Sequence, residues 1–490
     1  MRSWKRHAHL WHRWLGIALG LLVLLWFGSG IVMMYVPYPA LTEQERMNWL
    51  APLDAERIQL NALGAWQIAG RPGMPSGVRL TSVAGRPAYH FKADGRWWSV
   101  WADNGEPLQV TPAVAAASAL AAASGSEPIA ALAPGEAAAQ SARVVSSESI
   151  NIDQWTFGSV REHRPLYRVR LSDAADSVLY VSGRTGELVR DTTRSERAWN
   201  WVGSVIHWIY FTPLREQAQP WRQVVMWTSG AALLLVMLGM VLGIQRLRLR
   251  RPYAGGRHSP YRGWQAWHHW LGLSIGTLML TWLFSGWLSV TPFDWLSSPG
   301  ITAKDRLAFA GGPLTPEDLC APVADLLRGH PGLLELEWRR IDGQLNFSML
   351  DHVQRQLLQP VPAERLQQAV QSLRPGVAVR FETITSEDDY HYSHHKQVAL
   401  PVLRARFDLP DDTMFYIDPL QGEIAGHADR NSKWNRWLFN GLHQLDFVAT
   451  LRARPLWDVL VITLCALGGI STLAGVVLGW RRLRKRVTHG

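Results

Sequence analysis

Residues 11–30 read WHRWLGIALGLLVLLWFGSG, and residues 267–286 read WHHWLGLSIGTLMLTWLFSG. At a constant offset of 256, His12 falls on His268, Trp14 on Trp270, Gly16 on Gly272, Trp26 on Trp282, and Ser29-Gly30 on Ser285-Gly286. A second correspondence holds at an offset of 236. It sets His207 on His443, Trp221 on Trp457, Gly239 and Gly243 on Gly475 and Gly479, and LGIQRLR (242–248) on LGWRRLR (478–484). A unit that occurs twice, with a histidine at two matched places in each copy, implies a site with internal symmetry.

Both matched stretches are apolar. Four such runs, at about 14–36, 222–245, 268–291 and 456–480, are each near the ~20 residues that cross a ~30 Å hydrocarbon core. Lipid cannot satisfy a bare backbone, so runs of this kind must be helical. The net charge of +10 is concentrated in three basic clusters: Arg2, Lys5 and Arg6; Arg246 to Arg262; and Arg481 to Arg486. All three lie on one side if the spans cross in turn, so the positive-inside rule places both termini in the cytoplasm and the two long excursions on the opposite side, the periplasm if the organism is a two-membrane bacterium. Topology thus accounts for the charge and leaves no case for nucleic acid. The first span has a basic start, but its apolar run is too long for a signal peptide and no small-x-small site follows, so it is read as a retained anchor. Of the two cysteines, Cys465 lies inside the fourth span and Cys320 outside, which excludes a disulfide and a cysteine-based metal or iron–sulfur site.

The spans enclose two long polar excursions. In the first, Val78 to Ser82, Ala88 to Phe91 and Arg96 to Trp101 read as short strands, punctuated by the hairpin dipeptides Asp94-Gly95 and Asn104-Gly105. An alanine-rich stretch, Ala113 to Ala142, reads as one or two surface helices and a linker. Each excursion closes on an alternating hairpin, Leu166 to Asp191 and Val402 to Asp429, again matched at 236. The expected fold is an integral membrane α-helical protein with four transmembrane helices in two pseudo-symmetric repeats and two α+β extracytoplasmic inserts. Its parts are 1–36 (N-terminus and first span), 37–198 (first insert) and 199–251 (interfacial helix and second span). A cytoplasmic loop follows at 252–263, then the third span at 264–291, the second insert at 292–432, and the last interfacial helix, span and basic tail at 433–490.

The H-[RH]-W-L-G opening of a span, the Y-[IV]-[DS]-x-x-x-G-E hairpin and the L-G-x-x-R-L-R exit resemble the PepSY-associated transmembrane family over nearly the whole chain. That family includes iron-regulated inner-membrane proteins and ferric-siderophore reductases carrying b-type haem. The resemblance implies PepSY-like inserts, each a helix packed on a small antiparallel sheet.

Haem iron takes axial ligands, and helix bundles build such sites from side chains on facing helices. Pairing His12 with His207 inside one repeat would have to reach across most of the membrane. Pairing across the pseudo-twofold keeps partners at one depth: His12 with His268 on the cytoplasmic side, His207 with His443 on the other. One or two haem b groups per chain are expected, with His269 as the substitute if His268 points away. His7, His9 and His258 read as interfacial anchors. Trp26 and Trp282 pack on a porphyrin face or on each other. Gly239-x-x-x-Gly243 and Gly475-x-x-x-Gly479 read as close-packing faces.

A further constellation, SEDDYHYSHHKQVALP (386–401), gathers Asp388, Asp389, Tyr390, His391 and His394 as candidate substrate-binding residues. The expected activity is electron transfer across the membrane to a ferric siderophore, with a quinol or a cytoplasmic reductase as donor and lipids as the surrounding partner. No acid–base pair, nucleophilic triad or G-x-G-x-x-G after a strand is evident. The alternatives are a non-redox PepSY binding or regulatory protein anchored by its spans, and a siderophore or metal permease. The permease is disfavoured by the lack of acidic residues at depth.

Overall fold

The computed structural model describes residues 2–125, 143–393, 398–448, 451 and 453–487. They form two compact units. One comprises 1–38, 196–298 and 431–490, the other 39–195 and 299–430.

The first unit is built on four helices: α1 (Arg2–Met33), α2 (Ala218–Arg246), α3 (Trp264–Leu288) and α4 (Leu456–Val487). Each is long and apolar enough to cross a membrane. Their outer faces carry exposed Leu21, Leu25, Leu234, Val241, Val459 and Ile470, as expected of helices solvated by lipid. α1 packs along α2 and α4, and α3 packs along the same two, so α1 and α3 stand at opposite corners. Val23, Ala232, Ile275, Met279 and Leu283 form the apolar interior. α1 begins well before the expected span, so His7, His9 and His12 are helical. Hydropathy marks the apolar stretch and not the helix, whose first turns, RSWKRHAHL, simply lack a breaker.

Before α2 and α4 lie short helices that carry the remaining matched histidines. The expected single interfacial helix is divided at Gly203 into Arg194–Val202 and Ser204–His207. Its counterpart runs Arg430–Asn435, a π-helical turn Arg436–Gly441, then Leu442–Gln444.

The second unit is β-rich and draws its strands from both excursions. From the first excursion come β1 (Gly77–Val83), β2 (Arg86–Ala93), β3 (Arg96–Trp101), β4 (Val144–Ile150), β5 (Leu166–Leu171), β6 (Val178–Ser182) and β7 (Leu188–Thr192). The second gives β8 (Glu335–Ile341), β9 (Gln344–Leu350), β10 (Arg355–Leu357), β11 (Val379–Ile384), β12 (Val402–Phe407), β13 (Met414–Asp418) and β14 (Glu423–Ala428). Each excursion keeps a four-stranded antiparallel sheet of its own, β4-β5-β6-β7 and β11-β12-β13-β14. The other six strands join into one sheet, β10-β9-β8-β1-β2-β3, through antiparallel pairing of β1 with β8. β1 and β8 each span seven residues and end in a left-handed turn, Ala84-Gly85 and Asp342-Gly343, an offset of 258. At that offset Arg79 and Glu337, paired across the junction, are equivalents of each other, so the local twofold passes between them. Period-two patterning tells which face of a strand is buried but not which strand lies at its open edge. That is why the sharing of one sheet by the two excursions is not visible in the sequence.

Candidate functional site: two histidine pairs in the helix bundle

His12 on α1 and His268 on α3 face each other with ring centroids 6.1 Å apart and planes inclined by 32°. His12 Nδ1 lies 3.0 Å from the Leu235 carbonyl of α2, and His268 Nδ1 lies 3.1 Å from the Ser471 carbonyl of α4. Leu235 and Ser471 are themselves matched at 236. A carbonyl only accepts, so Nδ1 carries the proton in both rings and Nε2 keeps its lone pair. The close approach depends on glycine. A Cβ at Gly239 would stand 2.7 Å from His12 Cε1, and one at Gly475 would stand 3.1 Å from His268 Cε1. The first glycine of each G-x-x-x-G thus seats a histidine ring, whereas the expectation from sequence was helix packing alone.

The second pair repeats the arrangement with different parts. His207 and His443 have centroids 6.1 Å apart, with planes at 77°. Their Nδ1 atoms lie 3.0 Å from Ser29 Oγ and Ser285 Oγ. Those hydroxyls donate to the Trp26 and Trp282 carbonyls, at 3.2 and 2.9 Å. With its proton so placed, each serine accepts from Nδ1–H, and Nε2 is again left unprotonated. Gly30 and Gly286 lie beside the rings, where a Cβ would be 3.4 and 3.5 Å from Cε1. The residue after each histidine is braced from a long helix: Trp221 Nε1 donates to Trp208 O at 2.9 Å, and Trp457 Nε1 to Gln444 O at 2.6 Å. The next residues, Ile209 and Leu445, both turn left-handed and end the short helices at matched places. Along α1, His12 and Ser29 are seventeen residues apart, roughly 25 Å at 1.5 Å per residue, so the pairs lie toward opposite ends of the bundle.

None of these four Nε2 atoms has a hydrogen bond among the described residues. Trp26 Nε1 and Trp282 Nε1 are buried without an acceptor, a condition that native interiors rarely tolerate without a reason. Phe27 and Trp282 are in ring contact at 5.8 Å. His269 turns elsewhere: its Nε2 bonds the Gly243 carbonyl at 3.0 Å and its ring packs on Tyr261 and Trp270. His268 is therefore the one that meets His12. His258 is exposed and bonds the Arg248 carbonyl through Nδ1, in keeping with a surface role.

The candidate substrate cluster is only partly assembled. Asp388 Oδ1 caps the Tyr390 and His391 amides at 2.8 and 2.7 Å, while Oδ2 accepts from Tyr416 at 2.8 Å and Arg404 at 2.9 Å. Burial works to raise this carboxyl, but those donors outweigh it and hold it below its ordinary range. His391 is buried, bonds Ala399 O and stacks on Tyr416 at 4.8 Å. Tyr390 packs against Ile384, Val402 and Tyr416, and Asp389 is exposed. His394 lies outside the described residues. The first copy has the same joint, with Tyr180 OH 2.7 Å from Asp153 Oδ2 and Arg168 at 3.6 Å, so Asp388 belongs to a duplicated loop anchor. Among the described residues no group of three or more His, Cys, Asp or Glu converges as for an ion held by protein alone.

Sequence reasoning missed the buried ionic network of the β-rich unit. Glu187 accepts from Arg46 at 3.1 Å, Arg79 at 2.5 Å and Thr81 at 3.2 Å. Glu335 accepts from Arg46 and, at 2.8 Å, from Arg355. Burial would raise the Glu335 carboxyl, yet Arg46, Arg79 and Arg355 together hold it at about 2. His90, wholly buried between Thr81 and Ser99, and His163 are both pushed down to about 4, chiefly by burial. The one available signal was the Gly186-Glu187 match to Gly422-Glu423 in the hairpin motif.

No protein-family model matches the chain, and no curated protein proves similar to it.

Proposed function

We propose that the chain is a haem-carrying transmembrane electron-transfer protein that reduces ferric-siderophore iron on the outer side of a bacterial inner membrane. The observation that carries this reading is the doubled histidine geometry: two facing pairs, four Nδ1–H groups fixed by acceptors, four Nε2 atoms left for a metal. In each pair the ring centroids stand 6.1 Å apart, near enough that the two imidazoles would hold one ion between them. Orienting acceptors on the distal nitrogen are what metal-binding imidazoles ordinarily carry. The two buried indole N–H groups without acceptors also suit a polar-edged cofactor between the helices.

His12 with His268, and His207 with His443, would hold two b-type haems; bound there, such a group supplies a one-electron centre tuned by its axial ligands and surroundings. The protein's own part is to hold the rings. Leu235 O, Ser471 O, Ser29 and Ser285 fix each tautomer and orientation, the glycines admit the rings, and Val23, Ala232, Ile275 and Met279 keep water from the interior. The chemistry asked of the substrate is one electron added to Fe(III) held by hard oxygen donors. The resulting Fe(II) is held less well by those donors and is released. The electron comes from a quinol or a cytoplasmic reductase. PepSY-like character of the β-rich unit, both termini in the cytoplasm and the siderophore as substrate belong to the same proposal.

The test is a dithionite-reduced minus air-oxidised visible spectrum of the detergent-purified chain, with haem quantified per chain. A sharp low-spin b-type band at two haems per chain supports both pairs. No haem in protein from haem-replete cells would end the reading and favour a membrane-anchored binding protein.

A further inference from the structure

Residues 1–13, 246–263 and 481–490 hold fifteen Lys and Arg and no Asp or Glu. The three segments meet at the end of the bundle that carries His12 and His268: the start of α1, the link from α2 to α3, and the exit of α4. Orientation of the spans calls for the cations, but Asp and Glu contribute little to it, so acids would be tolerated there. At the whole-chain proportion of 40 acidic residues in 490, these 41 positions would carry about three. Their absence leaves this face with no counter-charge of its own.

The link itself is folded. Arg248 N–H donates to the His258 carbonyl at 3.0 Å, and His258 Nδ1–H donates to the Arg248 carbonyl at 2.8 Å. Inside that pair, Tyr253 N–H donates to the Arg257 carbonyl at 2.8 Å, across a turn in which Gly255 and Gly256 are both left-handed. The Tyr253 hydroxyl ties the turn back to α2, 3.0 Å from the Arg246 carbonyl, and the Arg248 guanidinium covers the Tyr253 ring at 4.3 Å. A tether between two spans needs none of these bonds. They form a small hairpin that carries Arg250 and Arg251, both exposed and without an ion pair among the described residues, as are Arg13, Arg246 and Arg262.

We propose that this face docks a small, acidic, soluble one-electron carrier protein, which delivers its electron at the His12–His268 pair. The proposal rests on the redox reading and selects its donor. Arg13 follows His12 directly, and Arg246 lies seven residues beyond Gly239, the glycine that seats the His12 ring, or about 10 Å along α2. The carrier gives up one electron to the centre held by the two imidazoles; no bond forms or breaks and no proton moves. An anionic lipid headgroup also pairs with arginine, but the hairpin favours a protein. Exposed tryptophans of this end, among them Trp11, Trp264 and Trp267, mark the headgroup level. The hairpin comes after the last residue of α2 and before Trp264, the first of α3, so its arginines stand on the water side of that belt.

The test uses the full-length chain in nanodiscs of neutral phosphatidylcholine, probed with a plant-type [2Fe–2S] ferredoxin as the acidic carrier and with cytochrome c as a basic one. Ferredoxin should bind in about 10 mM salt and lose at least about tenfold in affinity by about 0.15 M, as the screening length falls from about 30 to 8 Å; cytochrome c should not bind. Arg250→Gln with Arg251→Gln should weaken ferredoxin binding in low salt at least about fivefold, mainly through slower association. Arg246, Arg248, Arg257 and Arg262 remain in that link to hold its orientation. In stopped flow, reduced ferredoxin should produce the low-spin band more slowly in this variant by the same factor, with the dithionite end point unchanged. Binding is read without haem, so the two readings fail separately. A chain that binds ferredoxin but holds no haem would overturn the electron delivery together with the redox reading. A haem-loaded chain that ignores ferredoxin, binds cytochrome c as tightly, or keeps full affinity in the double variant would overturn the docking face alone. Loss of ferredoxin binding when phosphatidylglycerol is added to the nanodiscs would make the lipid the partner and overturn it too.

Discussion

Replacing Gly239 with alanine puts a methyl carbon 2.7 Å from Cε1 of His12, whereas an ordinary contact begins at 3.4 Å. The ring must retreat by the difference, 3.4 − 2.7 = 0.7 Å. Nδ1 is 3.0 Å from the Leu235 carbonyl on the same helix, so a ring moving straight off α2 would stretch that bond to 3.0 + 0.7 = 3.7 Å. At that length it is no longer a hydrogen bond. Losing the group that orients a metal-binding imidazole typically weakens binding about 10- to 100-fold, or roughly 1.4–2.7 kcal/mol. Gly475→Ala, at 3.1 Å from His268, asks only a few tenths of an ångström and should cost less. Gly30→Ala and Gly286→Ala, at 3.4 and 3.5 Å, should cost least. The assay is haem titration into the haem-depleted chain, followed by the low-spin absorbance band and by haem per chain at saturation. The expected order of affinity at the affected site is Gly30→Ala and Gly286→Ala first, then Gly475→Ala, with Gly239→Ala last. Equal haem binding by Gly239→Ala and Gly30→Ala would refute the seating role of the glycines, and with it the assignment of His12.

Ser29→Ala and Ser285→Ala each remove the acceptor of one Nδ1–H and should weaken the second site about 10- to 100-fold, shift its reduction potential and leave the first site intact in a spectroelectrochemical titration. Acid should destabilise the β-rich unit. His90 and His163 titrate near 4 when folded against an ordinary 6.5, so their contribution is whole above about 6.5 and is lost as pH falls through 4. Glu335, held at about 2, adds a loss below about 4.5. Thermal midpoints should therefore drop from pH 7 to pH 4, and His90→Gln should flatten that slope; a midpoint independent of pH would contradict the burial of both imidazoles. Arg46→Met leaves two buried carboxylates short of a partner and should cost about 3–5 kcal/mol, seen as a lowered unfolding midpoint that Arg46→Met with Glu335→Gln partly restores.

The pairing of His12 with His268 and of His207 with His443 was legible because duplicated helices fix the depth of matched residues. A ring and its partner follow from counting. Their supports were less so. Ser29 and Ser285 are visible as a matched Ser-Gly, yet nothing in a serine announces an imidazole 178 or 158 residues away. Leu235 and Ser471 act through backbone carbonyls, which leave no mark in sequence at all. The strands β1, β2 and β3 lie where alternation and hairpin dipeptides put them, whereas the junction of β1 with β8 depends on edge matching that alternation does not encode. Asp388 drew attention as part of a polar cluster. Its role in holding a loop became plain only beside Asp153, where the same tyrosine and arginine positions recur.

The junction of β1 with β8 also governs how the chain can be made. Arg79 finds Glu337 only after a further 258 residues (337 − 79) have been synthesised. At about 5–20 residues per second, that is a wait of roughly 13 to 50 seconds. For that interval β1 is an open edge with a complete hairpin behind it, the kind of surface that captures stray strands. Arg79 sits in the middle of that edge, a charge that discourages foreign partners until the strand bearing Glu337 arrives. The six-stranded sheet therefore closes late, and it closes only in chains that have been finished past β8.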